Sequence, residues 1–146
     1  MNEPPSFPLP VADADTQTFW DAAADGRLVV QHCAACGHWI WQPKPVCPRC
    51  HAVDVPWEEV SGDGRVASWT VVRPPVLPAF APFTPFVILL VELDEGVRMV
   101  GQLAGDAGEL LVTDGGPEGV SMGTPVALRW REQGEVTLPA WRIVAR

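Results

Sequence analysis

Two motifs, Cys33-Ala-Ala-Cys36 and Cys47-Pro-Arg-Cys50, hold all four cysteines of this 146-residue chain, and ten residues separate them. Two C-x-x-C turns at this spacing bring four thiolates to the corners of a tetrahedron, the geometry that Zn²⁺ prefers. A site with four sulfur ligands leaves no open coordination position, so the metal stabilises the fold and activates no water. The cysteines therefore predict one structural zinc per chain.

Other uses of four cysteines fit the sequence less well. Iron would take the same four sulfur ligands, so the spacing alone leaves the choice between the two metals open. Disulfides belong to oxidising compartments, and the N-terminus shows no basic stretch followed by an apolar one that would direct secretion. We therefore expect a cytoplasmic protein. His32, His38 and His51 flank the motifs and are expected to lie beside the site rather than to bind the metal.

Outward from the cysteines, short apolar runs predict a small ribbon of β-strands. Residues 28–31, 39–42 and 55–60 are the expected strands, and they enclose too little core to fold without a metal. Before them, a proline-rich arm over residues 1–11 precedes a short helix. Asp13 or Asp15 is expected to cap this helix, which runs to about Ala24 and ends at Gly26.

After the turn residues Ser61-Gly-Asp-Gly64, the pattern is that of strands throughout. The expected strands cover residues 65–73, 86–94, 98–103, 125–131 and 138–144, and Gly101 inside the third predicts a bulge or a bend. Five strands in this order are typical of a barrel of the oligonucleotide/oligosaccharide-binding (OB) type. The predicted fold is mainly β, with an arm and helix at 1–26, a zinc ribbon at 27–60 and a five-stranded OB barrel at 61–146.

A proline-rich segment between the first two barrel strands carries large apolar side chains. Five of the twelve residues from Pro74 to Pro85 are proline, and Leu77, Phe80 and Phe83 lie among them. Such a loop either folds back onto its own barrel or is a preformed docking arm for another protein. The second interpretation makes these three side chains partner-binding residues. Phe19 and Trp20 on the helix form a second candidate docking face, with packing on the chain's own core as the alternative.

Composition argues against several classes of function. Eighteen acidic residues outnumber ten basic ones, giving a formal charge of -8 that opposes binding to a polyanion. A nucleic-acid module would have to use Trp69, Trp130 and Arg131 on the barrel. No apolar run reaches the ~20 residues of a membrane helix. The sequence also lacks G-x-S-x-G, P-loop and G-x-G-x-x-G motifs, so an enzyme acting alone is not favoured.

The chain resembles the family that joins a rubredoxin-like zinc ribbon to an OB fold, once known only as a domain of unknown function. The likeness spans about residues 15–145 and rests on an ordered set of segments: Phe19-Trp20, Gly26-Arg-Leu28, Gln31-His-Cys-Ala-Ala-Cys-Gly37, Cys47-Pro-Arg-Cys50, Val60-Ser-Gly-Asp-Gly64, residues 85–96, Met122-Gly123, Val126 and Leu138-Pro139. His51 departs from the glycine common at that position in the family, which bears on the geometry of the second turn.

This resemblance implies an accessory subunit without catalytic residues of its own. Family members accompany thiolase-like enzymes, or hot-dog-fold enoyl-CoA hydratases, that act on acyl-CoA esters. By resemblance, Cys33, Cys36, Cys47 and Cys50 are the zinc ligands. The chain is expected to stabilise or complete the active site of such a partner and to contact its CoA ester at the interface, with no role at a membrane or on nucleic acid.

Overall fold

One α-helix and eight strands make up most of the regular structure in residues 6–144, the part of the chain that the computed structural model describes. Residues 1–5 and 145–146 lie outside the described residues, and with them Pro4 and Pro5 of the expected arm. The elements in chain order are α1 Gln17–Ala24, β1 Leu28–His32, β2 Trp39–Ile40, β3 Trp57–Val60, β4 Gly64–Val72, a 3-10 helix Pro78–Phe83, β5 Phe86–Leu93, β6 Arg98–Leu103, β7 Pro125–Gln133 and β8 Val136–Ile143.

The first three strands form an antiparallel sheet in the order β2-β1-β3. Leu28 on β1 pairs with Val60 on β3, and Gln31 near the other end of β1 pairs with Ile40 on β2. Four of the five residues of the central strand β1 are buried, and Leu28 and Val30 among them pack in the hydrophobic core. This arrangement is the ribbon expected from the sequence.

The remaining strands close into a barrel in the order β4-β5-β6-β8-β7. All pairs are antiparallel except β6 and β8, which run parallel through the pairs Gln102–Ala140 and Leu103–Trp141. This order is that of a five-stranded OB barrel, so the predicted fold class is confirmed. The only register shift in these ladders lies between Val66 and Ser68 on β4.

The bulge expected at Gly101 is absent, because pairing between β5 and β6 runs through that residue without a shift. The glycine has a different role. A Cβ atom at position 101 would overlap the Trp141 ring at Cζ3 and Cε3. Trp141 is completely buried, and its Nε1 donates a hydrogen bond of 2.9 Å to the carbonyl oxygen of Gly62. Gly101 is therefore needed for the close approach of a fixed indole ring.

One hydrophobic core runs through the helix, the ribbon and the barrel. It includes Phe19 of α1, Leu28 and Val30 of β1, and Trp141 of the barrel. The end of the ribbon near the cysteines has a much smaller cluster of its own, centred on Cys33, Ile40 and Cys47. The division at residues 60 and 61 stays a prediction, since the main core crosses it.

The helix packs on the chain's own core, which is the alternative to a docking role for Phe19. This side chain is 3% exposed and its ring lies 4.8 Å from that of Trp41, so its contacts are mainly with its own chain. A docking role for Phe19 stays a prediction. The helix begins one residue after Thr16, and Asp13 caps the preceding turn by accepting a 2.9 Å hydrogen bond from the Thr16 amide. The helix ends at Ala24, and Gly26 follows as the expected C-terminal stop, with φ of 73°.

The contact between Gly101 and Trp141 predicts that Gly101→Ala destabilises the barrel. Because the indole is buried and hydrogen-bonded, we expect the free energy of unfolding to fall by about 1–3 kcal/mol. Urea unfolding of the purified zinc-loaded protein measures this change. Gly116→Ala is the matched control, since Gly116 lies in an exposed loop where an added Cβ approaches only the movable Asp114 side chain, at 3.2 Å. Equal unfolding midpoints for the two variants would contradict the prediction.

Candidate metal centre and docking surfaces

The four cysteine sulfurs converge at the end of the ribbon. Cys33 and Cys36 lie in the turn from β1 to β2, and Cys47 and Cys50 lie in the turn that precedes β3. All four sulfur atoms lie within 4.8 Å of one another. The Cys33–Cys50 and Cys36–Cys47 sulfurs are 3.6 and 3.7 Å apart. A tetrahedron with Zn–S bonds of about 2.3 Å has sulfurs about 3.8 Å apart, so the donor set fits a zinc ion.

The two cysteine turns repeat the same backbone pattern. The Gly37 amide donates to the Cys33 carbonyl and the His51 amide donates to the Cys47 carbonyl, both at 2.9 Å. Gly37 has φ of 74°, and His51, at the equivalent position, has φ of 64°. A side chain is strained in this left-handed region, where glycine is favoured. His51 therefore adopts the same left-handed geometry as Gly37, and the second turn keeps the shape of the first.

The surroundings of Cys47 and Cys50 give the two thiols very different pKa values. Desolvation raises the pKa of Cys47, but backbone amides of Cys50 and Arg49 donate to its sulfur and bring the pKa to about 7. Cys50 accepts from the backbone of Ala52, which lowers its pKa, yet burial and the neighbouring sulfurs outweigh this and raise it to about 12. Zinc binds the thiolate form of cysteine, so binding of the ion releases the thiol protons that otherwise form hydrogen bonds between these sulfurs.

The flanking histidines are not part of the sulfur cluster within residues 6–144. His32 stacks on the Trp39 ring with centroids 3.9 Å apart, and its Nδ1 lies 3.1 Å from a Glu58 carboxylate oxygen. Its other ring nitrogen lies 3.1 Å from the Gly37 carbonyl. With four sulfurs and no histidine or carboxylate in the cluster, the site is of the structural type, closed to substrate and water.

The proline-rich loop is ordered by an aromatic contact that the sequence did not reveal. Phe7, in the arm before α1, packs against Phe80 and Phe83 with ring centroids 4.9 and 5.7 Å apart. Both rings are therefore half-buried on their own chain, while Leu77 beside them is 58% exposed. Of the three residues expected in this loop to bind a partner, Leu77 is the one that presents most of its side chain outward.

Residues 7–9 of the arm are tied to the barrel as well. The Gln133 side-chain amide donates a 3.0 Å hydrogen bond to the Pro8 carbonyl, and the guanidinium carbon of Arg131 lies 5.3 Å from the centre of the Phe7 ring. The N-terminal arm thus joins the proline-rich loop to the β7–β8 hairpin. Contacts between segments this far apart in sequence cannot be predicted from local pattern. The one large aromatic residue in the proline-rich arm, Phe7, is the feature that could have indicated this contact.

The barrel residues suggested for nucleic-acid stacking are poorly placed for that role. Trp69 is 40% exposed, but Trp130 is half-buried and Arg131 is 8% exposed. Burial lowers the pKa of the Arg131 guanidinium, which hydrogen-bonds to the side chains of Gln102 and Gln133 instead of reaching solvent. An inward-facing arginine cannot contact the phosphates of a bound strand.

The site and fold together define a protein in which a closed four-sulfur zinc ribbon is fused to an OB barrel. Residues 20–55 match the family described as "ChsH2, rubredoxin-like zinc ribbon domain", and residues 57–131 match "ChsH2, C-terminal OB-fold domain". The chain belongs to this family. The match to a zinc-ribbon family, together with the sulfur geometry, confirms the prediction of one structural zinc.

Curated relatives of the chain include hydratase subunits and scaffold proteins. The chain is 40% identical over 136 residues to a "Probable enoyl-CoA hydratase alpha subunit" of Thermomonospora curvata, covering 92% of this chain and 39% of that protein. It is 32% identical over 106 residues to a "DUF35 domain-containing scaffold protein" of Pyrococcus furiosus, covering 73% of this chain and 70% of that protein. The chain thus spans about two fifths of the hydratase subunit.

Solved structures include a similar chain. In the structure described as "Ltp2-ChsH2(DUF35) aldolase", one chain superposes with a TM-score of 0.79 at 38% identity, covering 94% of this chain and all of that one. A DUF35 protein from Sulfolobus solfataricus, at 12% identity and a TM-score of 0.56, shares the fold. Among the helices of residues 6–144, none has the length and apolar character required to cross a bilayer.

The sulfur geometry predicts that the purified protein contains one zinc ion per chain and that Cys47→Ala loses it. Cys47 is completely buried, and removing its sulfur leaves three ligands that no nearby histidine completes. Elemental analysis by mass spectrometry measures the metal content. His38→Ala is the control and is expected to keep a full complement of zinc. Zinc retained by Cys47→Ala, or lost from His38→Ala, would contradict the assignment.

Proposed function

We propose that this chain is a non-catalytic accessory subunit of an acyl-CoA-processing complex, which docks onto a thiolase-like enzyme and stabilises or completes its active site. The observation that carries this proposal is the likeness to an entire chain of the Ltp2-ChsH2(DUF35) aldolase. The relatives named scaffold proteins support the same role.

The chemistry of the chain supports a role without catalysis. A metal with four protein ligands has no position for a substrate, a water molecule or a hydroxide. The three histidines all lie in the ribbon, where His32 is engaged with Trp39 and Glu58. The chain can supply a neighbouring protein with preformed contact surfaces, on a ribbon, a barrel and a loop stiffened by five prolines.

We place the docking contact on the proline-rich loop. Leu77 is more than half exposed just before the 3-10 helix, while Phe80 and Phe83 within that helix pack against Phe7. A loop that is ordered before binding loses little entropy when it docks, which favours affinity. Leu77 is thus the proposed anchor, and the two phenylalanines support it. Trp20 lies apart from this loop, half-buried on the helix.

We also propose that the chain contacts the CoA ester bound by the partner. A cavity of about 370 Å³ between the ribbon and the β5–β6 turn is lined by Lys44, Arg49 and Arg98, and by the single carboxylate of Glu95. Arg98 already pairs with Glu92, with 2.9 Å between Nε and Oε2, so Lys44 and Arg49 are the cations suited to the phosphates of CoA. The alternative is that these charges offset the negative charge of the zinc–thiolate site.

A second candidate partner is a hot-dog-fold enoyl-CoA hydratase. Two hydratase alpha subunits, from Thermomonospora curvata and Mycobacterium tuberculosis, are 40% and 33% identical to the chain, which covers 39% and 41% of their lengths. The remaining three fifths of those proteins have no counterpart in this chain. The thiolase-like partner is favoured because the aldolase chain is matched over its full length.

Co-expression with a thiolase-like acyl-CoA enzyme of the same organism tests the proposal. We expect the two chains to co-purify, and Leu77→Glu to raise the dissociation constant at least tenfold because a carboxylate replaces the apolar anchor. Isothermal titration calorimetry and multi-angle light scattering measure affinity and mass. Val53→Glu is the matched control, since Val53 is 81% exposed on the ribbon away from the loop.

Three results would contradict the proposal. The two chains fail to associate, Leu77→Glu binds as tightly as Val53→Glu, or the chain alone hydrolyses or cleaves a CoA thioester. Association with an enoyl-CoA hydratase in place of the thiolase-like enzyme would move the assignment to the second candidate.

A further inference from the structure

A second surface of the chain has the shape and chemistry of a binding site, and it shares only Trp41 and Gln42 with the cavity lined by Lys44 and Arg49. A cavity of about 490 Å³ opens between α1, the residues that follow β2, and the barrel strands β5, β6 and β8. We call it the α1–barrel cavity. Its floor is formed by Ile88 and Val100, and Trp20 and Trp41 form an aromatic wall.

The cavity occupies the part of the barrel that OB folds use for ligands. Strands β5 and β6 are the second and third strands of the barrel, and the exposed face of these two strands is the usual binding surface of the fold. In this protein, α1 and Trp41 stand at the side of that face and convert an open surface into a cavity. The position of the cavity on the barrel therefore favours a binding role. The residues that line the cavity indicate what kind of group it binds.

The lining is apolar at its base. Val100 is 60% exposed, although it lies on a barrel strand and pairs with Leu90 on β5. Ile88 and Leu138 beside it are half-buried, as are the two tryptophans. Apolar and aromatic side chains gathered in one concave surface are characteristic of sites that bind another apolar group. The expected occupant therefore has an apolar part.

The rim of the cavity is acidic. Asp13 and Asp15 lie at one side, and none of the lysines, arginines and histidines in residues 6–144 lines the cavity. Hydrogen bonds from Thr16, first from its side chain and then from its backbone, hold the pKa of Asp13 below its usual range, so this carboxylate stays ionised. Asp15 is exposed, and its carboxylate makes no hydrogen bond or ion pair within residues 6–144. The complementary group is a cation.

We propose that the α1–barrel cavity receives an apolar segment of the partner protein that carries a lysine or arginine side chain. The aliphatic part would lie on Val100 and Ile88 beside the tryptophan rings, and the cationic group would pair with Asp15. Indole faces also attract cations, so Trp20 and Trp41 favour the same occupant. The inference rests on the proposed function for the existence of the partner and adds a second contact region, with its own chemistry, to the Leu77 surface.

Charge reversal at the rim tests this contact in the complex. We expect Asp15→Lys to raise the dissociation constant for the thiolase-like enzyme at least tenfold and Asp15→Glu to leave it within a factor of two. Asp54→Lys is the matched control, because Asp54 is an exposed ribbon residue outside the cavity lining. Asp15 is exposed, so the melting temperatures of the variants should match that of the parent. Equal affinities for Asp15→Lys and Asp54→Lys would overturn the proposal.

A second measurement does not depend on the enzyme. Titration of the ¹⁵N-labelled, zinc-loaded chain with hexylguanidinium should shift the amide signals of Val100, Gly101 and Gln102, and heptanoate should shift them much less. Asp15→Lys should abolish the response to the cation. If no complex forms with the enzyme, the proposed function fails and this titration decides the chemistry of the cavity. Equal shifts with both probes, or none at these amides, would overturn the inference.

Discussion

The contact among the four sulfurs, all within 4.8 Å, is the constraint on which the ribbon depends. It ties the turn after β1 to the turn before β3, in a region whose own apolar cluster is centred on only Cys33, Ile40 and Cys47. So small a cluster does not hold two turns in place without the metal. The other end of β1 contributes Leu28 and Val30 to the main core. One strand therefore connects the zinc to the barrel.

Because the ribbon and the barrel are connected in this way, the two proposed docking regions, the proline-rich loop and the α1–barrel cavity, lie on one packed structure. The ribbon supplies Trp41 as a wall of the α1–barrel cavity, and Trp41 contacts Phe19 of the helix. In the proline-rich loop, Phe80 and Phe83 pack against Phe7 of the N-terminal arm. Each region is thus shaped by a segment distant in sequence. A subunit whose surfaces are fixed before binding suits a role in completing another protein's active site.

The sequence predicted the parts of the fold that depend on local pattern. Alternation and turn residues placed β6 at its observed bounds and β5 within one residue, and the C-x-x-C spacing predicted the sulfur cluster. It did not predict contacts between distant segments, such as Phe7 against Phe80 or Trp141 against Gly101. The burial of Phe19 has the same cause, because an amphipathic helix shows one apolar face whether its partner is its own barrel or another chain.

Hydrogen–deuterium exchange of the zinc-loaded chain, alone and with the thiolase-like enzyme, measures whether the chain docks through the proline-rich loop and the α1–barrel cavity. We expect slower exchange in the complex over residues 74–85 and over β6, which borders the cavity. Exchange at the cysteine turns should stay the same, because the metal already protects them. Protection confined to the cysteine turns, or no change anywhere on adding the enzyme, would show that neither surface is a docking contact.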